Sequence, residues 1–380
     1  MTHSQKRRQV LLRLIIHVYG HSFYHQHQCL ICMSLFKLHL GKSNDWGIDA
    51  IIRHAKSLYF DRHKDISEFP QMYSLLKSTH FHTVIDFSAY SPSDVKRLLP
   101  HLQTRLYVYI SSDSVYEVCI KADRGTPTVE TDAVRPNDPS LAERLKRKDK
   151  YGHKKLRCEE YIRKHCDANN LKYIILRLAD VIGPRDGTER WWQYQLWIQA
   201  CVELLLPIFV PVSLQHRQLS FVYVKDIAGL IKDLVDRSDE SSQVFNQAYN
   251  LACRETPTLA GLLHKMCACL DSSDNRQAST MKVVGMDGAP QIYPSVEKGA
   301  IDISKAERLL KWKPSSIDDV IRETVAFYQH VAASDDFEDE RKSIMDTMRD
   351  DIKDIEHYSR HNVKDMRAFF GRTLVRHVIN

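Results

Sequence analysis

Glycine is scarce at the start of the chain, and acidic residues are missing there. Among the first 40 residues the only glycine is Gly20. A phosphate-binding turn between a strand and a helix needs several glycines, because the backbone must approach the phosphate closely. Residues 1–44 therefore exclude a turn of the G-x-x-G-x-x-G type. They contain six Lys and Arg and no Asp or Glu. The charge of this segment therefore equals the whole formal charge of the chain, +6. A basic nucleic-acid-binding surface over the whole protein is therefore not indicated.

Long apolar runs and a regular cysteine pattern are also missing. No apolar run reaches the roughly 18 residues that a membrane span needs, so no membrane partner is expected. The nine cysteines are odd in number and scattered, which argues against a disulfide framework and favours a reducing compartment. We predict a cytoplasmic protein. An organellar targeting peptide is the alternative, because residues 1–44 are acid-free and contain Arg, although they contain little Ser.

A metal site is conceivable in the N-terminal segment but is not favoured. Side chains of the types that bind metals cluster at residues 21–32: His21, His25, His27, Cys29 and Cys32. No second Cys/His pair follows at zinc-finger spacing. The sequence therefore predicts no metal site, and we interpret residues 1–44 as an atypical basic segment that contains His and Cys.

The rest of the chain alternates between strand-like and helix-like segments. Residues 83–88, 106–110 and 173–178 are β-rich apolar runs of the buried parallel type. Helical patterns lie between them, and residues 48–57 also read as a helix, followed by a short strand at 58–60. Short connections between such elements favour a parallel sheet covered on both faces. Apolar residues at helical spacing from 344 to 355 predict an appended helix.

A tyrosine and a lysine mark a candidate reaction site. Tyr151 and Lys155 are four residues apart in a predicted helix, so they share one face. A nearby positive charge favours the ionised phenol, which would suit proton transfer to a hydroxyl or carbonyl group. The alternative is an ordinary pair on a half-exposed helix, because two-residue matches are frequent by chance.

Other polar residues follow predicted strands and point to the same place. Ser112 and Asp61 come just after strand ends, and Tyr151 begins the helix that follows the Ser112 strand and its long loop. Parallel sheets bind ligands beyond the carboxyl ends of their strands. We therefore expect these residues to face one crevice.

Six segments follow one another in a recognisable order. They are residues 84–90, 109–116, the Tyr151/Lys155 pair, 176–186, 220–228, and 310–314 with the helix that follows. Together they resemble the extended short-chain dehydrogenase/reductase superfamily, specifically its NAD-dependent epimerase/dehydratase family, from about residue 60 to residue 328. The resemblance implies an α/β, Rossmann-like, doubly wound parallel sheet with a small C-terminal substrate-binding part and an appended C-terminal helix.

The resemblance also implies roles for particular residues. Tyr151 would be the general acid/base, Lys155 would lower its pKa and hold the nicotinamide ribose, and Ser112 would hydrogen-bond the reacting oxygen. The implied cofactor is NAD or NADP. Its contacts would be Asp61, Arg62, Phe87, Ser88, Tyr151 and Lys155.

The implied activity is hydride transfer on a nucleotide-sugar-like or related carbonyl/hydroxyl substrate, by a homodimer with a small-molecule substrate and no nucleic-acid partner. The alternative is a non-catalytic binding protein on the same fold, with a protein or RNA partner, that has lost normal cofactor binding. The missing glycine turn leaves two interpretations open: a replaced chain start, or a relative without that cofactor site. His153 and the long connection after Ser112 also depart from the family pattern.

The predicted organisation has four parts. Residues 1–44 form the atypical segment, and residues 45–190 form the Rossmann-like NAD(P)-binding domain. Residues 191–333 form the rest of the sheet and the substrate-binding part, and residues 334–380 form a charged helical tail.

Overall fold

The computed structural model describes most of the chain between residues 64 and 346, together with three strands before it. The described ranges are 12–18, 28–35, 55–61, 64–120, 126–186, 188–203, 207–236, 242–271, 281–286, 299–332, and positions 334, 337–338, 341–344 and 346. By its contacts the chain divides into two units that interleave in sequence. The first comprises residues 1–178, 229–251 and 302–312, and the second comprises residues 179–228, 252–301 and 313–380.

The first unit is built on a seven-stranded sheet. Its strands are, in chain order, β1 (Leu12–Val18), β2 (Gln28–Leu35), β3 (Ala55–Asp61), β4 (His80–Asp86), β5 (Gln103–Ser112), β6 (Lys172–Leu178) and β10 (Gln247–Leu251). They lie side by side in the order β10-β6-β5-β4-β1-β2-β3. Strands β1, β4, β5, β6 and β10 are parallel. The predicted α/β Rossmann-like class is confirmed.

Strand β2 departs from a fully parallel arrangement. It is antiparallel to both β1 and β3. Residues 19–27 connect β1 to β2, which is shorter than the dozen or more residues that a helical crossover needs. The helix predicted over residues 48–57 is wrong from residue 55 onward, because these residues pair with β2 as part of β3; residues 48–54 lie outside the described ranges.

Nine helices occur in the described ranges. They are α1 (Pro70–Ser78), α2 (Pro92–Leu98), α3 (Pro139–Lys148), α4 (Lys150–Ala168), α5 (Arg190–Glu203), α6 (Val224–Asp236), α7 (Leu259–Asp271), α8 (Ser304–Leu309) and α9 (Ile317–Val331). Several begin where the sequence offers a cap. Asp138 caps α3 through the amide of Ser140, and Ser316 caps α9 through the amide of Asp319. The long connection after Ser112 therefore contains a helix, α3, and most of the charged run at 143–150 is its end.

The core of the first unit lies between the sheet and helices α1, α2 and α4. Residues 106–110 of β5 are all buried, as expected for a strand covered on both faces. Helix α4 contributes Cys158, Ile162 and Cys166 to this core. Because α4 is held by its apolar face, the position of its first turn is fixed against the sheet.

The second unit has its own core and two small sheets. The sheets pair β7 (Asp180–Ile182) with β9 (Phe221–Tyr223), and β8 (Ile208–Val210) with β11 (Val283–Gly285). Helices α5, α7 and α9 supply most of the core, which includes Trp191, Trp192 and Trp197. In the predicted tail, residues 341–344 are helical and Ile344 is buried in this core, whereas residues beyond 346 lie outside the described ranges. The linear domain boundaries proposed from the sequence stay predictions. No helix in the described part is long and apolar enough to cross a membrane.

Candidate active site

Ser112 is the last residue of β5 and begins the turn that follows it. Its hydroxyl oxygen accepts a hydrogen bond of 3.2 Å from the amide of Ser114, so the side chain caps the 3-10 turn Asp113–Val118. The same hydroxyl group donates to Asp113 Oδ1 at 3.3 Å, and it lies close enough to Tyr151 to lower the pKa of that phenol. The end of β5 and the start of α4 therefore meet through these two side chains.

The first turn of α4 lies directly against the turn after β5. Asp149 caps the helix, accepting a bond of 2.7 Å from the amide of Gly152. A Cβ atom at Gly152 would lie 2.1 Å from the carbonyl oxygen of Ser114, which is far inside van der Waals contact. Glycine is therefore required here for the close approach of two backbones. That approach brings Tyr151 to Ser112.

Lys155 lies one turn further along α4 and points inward. It is 2% exposed, and its ammonium group donates to the carbonyl oxygens of Ile110 at 2.7 Å and Ala89 at 3.1 Å. The same group lies 4.7 Å from the ring centroid of Tyr109 and 6.0 Å from that of Tyr151. Lys155 thus ties the loop after β4 to β5 and places a fixed positive charge beneath the phenol.

Tyr151 remains accessible, but its hydroxyl group is hard to ionise. The side chain is 43% exposed, and its ring lies 6.2 Å from that of Tyr90. Partial burial raises the pKa of Tyr151 above its usual value, and Tyr90 and Asp113 raise it further. The nearby Ser112 hydroxyl opposes this rise and is outweighed. The lowering of this pKa by Lys155, expected from the resemblance, is therefore not what the free protein displays. In the free protein the phenol is a proton donor at neutral pH.

The turn after β4 is organised by Asp86, a residue that the sequence interpretation missed. Its side chain is fully buried and accepts bonds from the amides of Ser88 and Ala89, each at 3.0 Å, and from the Tyr107 hydroxyl at 2.7 Å. An acidic residue inside the apolar run 83–88 was the available indication. Ser88 is buried and Phe87 is half-buried at this turn. Both therefore lie beyond the carboxyl end of β4, next to the Lys155 anchor at Ala89.

Asp61, one of the two remaining predicted cofactor residues, lies at the far side of the sheet. Asp61 is the last residue of β3, which is three strands away from β4. At a strand spacing of about 4.8 Å this corresponds to roughly 14 Å. Two antiparallel steps make β3 parallel to β1, so Asp61 ends at the same edge as Asp86. The side chain of Asp61, and the whole of Arg62, lie outside what the structure describes.

A second polar cluster, here called the Arg177 network, is buried beside the first. The guanidinium group of Arg177 donates to both carboxylate oxygens of Glu159, at 3.1 and 2.7 Å, and to the hydroxyl of Tyr116 at 2.9 Å. Tyr116 in turn donates to the side chain of Asn250 at 2.6 Å. Burial alone would raise the pKa of Glu159, but Arg177 holds it below its usual value. These groups are at most 2% exposed, so the network is a structural element.

Helix α4 serves both clusters. It carries Tyr151 in its first turn and Glu159 about two turns later. The sequence interpretation found the first cluster because Tyr151 and Lys155 are close in sequence. It found only the segment around Arg177, because the members of the network (Tyr116, Glu159, Arg177 and Asn250) come from four separate stretches of the chain.

The described residues fit one end of a nicotinamide dinucleotide. Exposed Tyr151, the Ser112 hydroxyl and the turn at Phe87–Ser88 offer polar groups and an open edge at the ends of β4 and β5. The pyrophosphate of such a cofactor sits at the start of a helix that follows the first strand. In the described ranges, β1 is followed by the antiparallel β2 instead, and no helix N-terminus is offered at that place. Residues 19–27, which follow β1, lie outside the described ranges, and the described residues fit the nicotinamide end of the cofactor.

No metal centre is found in the described part of the chain, where no three His, Cys, Asp or Glu side chains are grouped to hold an ion. The ligand-type side chains at residues 21–32 lie outside the described side chains.

Comparison with known proteins agrees with the resemblance found in the sequence. Residues 79–252 match the sequence model of the "NAD dependent epimerase/dehydratase family". This range contains β4, β5, β6 and α4, and with them Ser112, Tyr151 and Lys155. No curated protein matches the chain.

Of the three solved structures named below, the first supports the fold, and the other two are similar over part of the chain. UDP-glucose 4-epimerase from Thermotoga maritima is 18% identical, with a TM-score of 0.52, over 76% of this chain and 89% of that one. UDP-glucuronic acid 4-epimerase from Bacillus cereus is 18% identical, with a TM-score of 0.49, over 70% and 81% of the two chains. dTDP-glucose 4,6-dehydratase from Bacillus anthracis is 17% identical, with a TM-score of 0.48, over 70% and 78%. At such identities the likeness concerns the fold alone.

Proposed function

We propose, from the premise that residues 79–252 belong to the NAD-dependent epimerase/dehydratase family, that Ser112, Tyr151 and Lys155 form the acid/base site of an oxidoreductase. The proposed substrate is a small hydroxyl or carbonyl compound of the nucleotide-sugar class, and the proposed cofactor is NAD or NADP. The observation that carries the proposal is the close approach of α4 at Gly152 to the turn after β5, which sets Tyr151 near Ser112 with the Lys155 ammonium 6.0 Å from the centroid of the phenol ring. The sequence points to the same three residues, from their spacing and from the family resemblance.

Each residue has a chemical role that its surroundings support. Tyr151 holds its proton at neutral pH and can give it to a carbonyl oxygen that becomes a hydroxyl. In the reverse direction it takes the proton back, and the buried charge of Lys155 stabilises the phenolate while it exists. Ser112 lies near Tyr151 and can hydrogen-bond the reacting oxygen. When bound, the nicotinamide would accept or return the hydride.

The first experiment is a calorimetric titration of the full chain with NAD(H) and NADP(H). We expect binding in the micromolar range that Lys155→Ala weakens by about tenfold or more, because the inward charge and its anchoring of the β4 loop are lost. Lys154→Ala is the matched control: Lys154 is the exposed neighbour on the same helix, and its loss should leave binding unchanged. A denaturation curve for each variant separates lost binding from lost folding.

Absence of binding by any of these nucleotides at millimolar concentration would sink the oxidoreductase proposal for this chain. Equal weakening of nucleotide binding by the two lysine variants would also contradict it, because binding would then depend on general surface charge.

A second candidate is a non-catalytic binding protein on this fold, with a protein or RNA partner. The specific observation in its favour is the antiparallel β1–β2 pair at the place where the family binds pyrophosphate. Retention of a fold does not retain its chemistry. This candidate predicts no nucleotide binding, together with a Ser112→Ala variant that behaves as the wild type in every partner-binding assay.

We also propose that the protein is cytoplasmic and forms a homodimer. Imaging of a fluorescently tagged chain tests the first, with organellar fluorescence as the contrary result. Sedimentation velocity over a range of protein concentrations tests the second.

A further inference from the structure

The three residues Ser112, Tyr151 and Lys155 are here called the reaction cluster. A concave groove lies apart from them, between α2, α3 and α4. It has a volume of about 700 Å³, within the usual range for small-ligand pockets. Neither Ser112, Tyr151 nor Lys155 lines it. Its α4 side is a single stripe at helical spacing, formed by His153, Arg157, Glu160, Tyr161 and Lys164. Since consecutive helical residues are about 100° apart, this stripe faces away from inward-pointing Lys155.

Positive charge dominates the lining of the groove. Five Lys and Arg side chains face two carboxylates, those of Glu143 and Glu160. Both carboxylates are already engaged: Glu143 accepts a bond of 2.9 Å from Lys146, and Glu160 pairs with two arginines. The basic members are Lys96, Arg135, Lys146, Arg157 and Lys164.

Two of these cations have no acidic partner in the part of the chain that the structure describes. Lys96 and Lys164 are exposed and form no ion pair among the described residues. They come from α2 and from the far end of the α4 stripe, so they approach the groove from different elements. An anion in the groove would therefore find uncompensated charge on more than one side.

Arg135 gives the groove a fixed charged element. Its guanidinium group donates to Glu160 and to the carbonyl oxygen of His153 at 3.4 Å, and its Nη1 lies 3.1 Å from His153 Nδ1. Burial and the charge of Arg135 lower the pKa of His153, so the imidazole is neutral at pH 7. It therefore accepts at Nδ1 and keeps its proton on Nε2. Held in this way, the planar guanidinium group is pre-organised for a phosphate.

We propose that this groove binds a compact anion that carries two or more phosphate groups. The cations converge from three helices and the Arg135 segment on a concave site, whereas nucleic-acid surfaces arrange charge along a groove or strip that follows the backbone. Three features that the family resemblance left unassigned find a use here. They are the long connection that supplies Arg135 and α3, the charged run that supplies Lys146, and His153.

Inorganic tripolyphosphate, titrated into the full chain by calorimetry, tests the proposal. The double variant Lys96→Ala/Lys164→Ala removes two exposed charges that make no ion pair, so folding should be kept. We expect it to weaken tripolyphosphate binding by about tenfold or more. Arg144→Ala/Arg147→Ala is the matched control, because it removes the same charge from exposed positions of α3 that do not line the groove. We expect this control to weaken binding by less than about twofold.

Arg135→Lys sharpens the test, because it keeps the charge and removes the planar fork. Weaker binding by this variant supports a built site. Three results would overturn the proposal: no binding of tripolyphosphate at millimolar concentration, equal weakening by the two double variants, or displacement of the anion by NAD(P)H, which would place it at the reaction cluster. Binding of a single-stranded oligonucleotide that both double variants weaken alike would likewise overturn it in favour of an extended nucleic-acid surface.

Discussion

The reaction cluster and the Arg177 network are two polar groups of side chains served by the same helix. In the network, every side chain named above is buried and paired. Arg177 and Glu159 form an ion pair with 2.7 Å between Nη2 and Oε2. In the reaction cluster, Tyr151 is open to solvent and its pKa is displaced from the usual value. A buried polar group must be satisfied within the protein, whereas a group that reacts must keep a face available. The comparison separates the side chains that hold the fold from those that can act on a ligand.

Replacing Arg177 should have the largest effect. Arg177→Met keeps much of the side-chain volume and leaves the carboxylate of Glu159, which is fully buried, without its main partner. Breaking a buried ion pair costs about 3–5 kcal/mol, and we expect a loss of that order in the free energy of unfolding, measured by urea denaturation.

The control uses the other partner of the same carboxylate. Arg163 also pairs with Glu159, at 2.8 Å, but its side chain is 33% exposed. Arg163→Ala should cost less than about 1 kcal/mol. Equal losses in the two variants would mean that burial does not distinguish the network.

Gly152→Ala should have the next largest effect, because it displaces the start of α4, the helix that contributes residues to both clusters. The new Cβ would meet the Ser114 carbonyl oxygen, and the first turn of α4 must move. Overpacking of this kind costs about 1–3 kcal/mol, and the movement should also weaken any ligand that depends on Tyr151.

Gly229→Ala in α6 provides the contrast, since a Cβ atom there meets nothing within 4 Å. Replacement of a helical glycine by alanine at such a place should stabilise by up to about 1 kcal/mol. Thermal denaturation that shifts both variants in the same direction would refute the close-approach argument.

Removing one hydroxyl group from each cluster compares them directly. Tyr116→Phe leaves buried groups of Arg177 and Asn250 without a partner and should cost about 1–3 kcal/mol. Tyr151→Phe removes a hydroxyl from an exposed side chain and should cost less than about 1 kcal/mol, while abolishing turnover. Urea denaturation measures both costs. If Tyr151→Phe proves the more destabilising variant, the reaction cluster is a structural element and the proposed function loses its support.

The smallest expected effect is a difference in pH dependence. The pKa of Tyr151 is raised on folding above the unfolded value of about 10. The contribution of this group to stability is therefore complete below pH 10 and is lost as the pH rises through the folded pKa. Stability of the wild type relative to Tyr151→Phe should be constant from pH 7 to 9 and fall above pH 10. A relative stability that rises as the pH approaches 10 from below would mean that Lys155 lowers the phenol pKa after all.

Local patterns in the sequence were sufficient for much of the fold. Strands β4, β5 and β6 were predicted at residues 83–88, 106–110 and 173–178, and the observed bounds differ from these by at most three residues. Tyr151, Lys155 and Ser112 were selected from spacing and from their places after strand ends. These predictions depend on periodicity and on neighbours in sequence, which a single chain displays directly.

Other features depend on pairing between distant segments. The helix predicted from residue 48 ends in a strand, because residues 55–61 gain hydrogen bonds from β2 that a helix at this place would forgo. The direction of β2 follows from the short connection after β1. The Arg177 network and the contact of Arg135 with His153 join residues that are 18 to 134 positions apart, and no periodicity indicates them.

The sequence by itself determined the alternation of strands and helices, the lack of a glycine turn and the residue types of the reaction cluster, since each is a property of a short stretch. Tertiary structure alone decided which charges are buried and paired, that the phenol pKa rises instead of falling, and that cations from separate helices share one groove. The physical reason is that burial and electrostatics depend on distances in space, and these distances exist only after the segments have packed together.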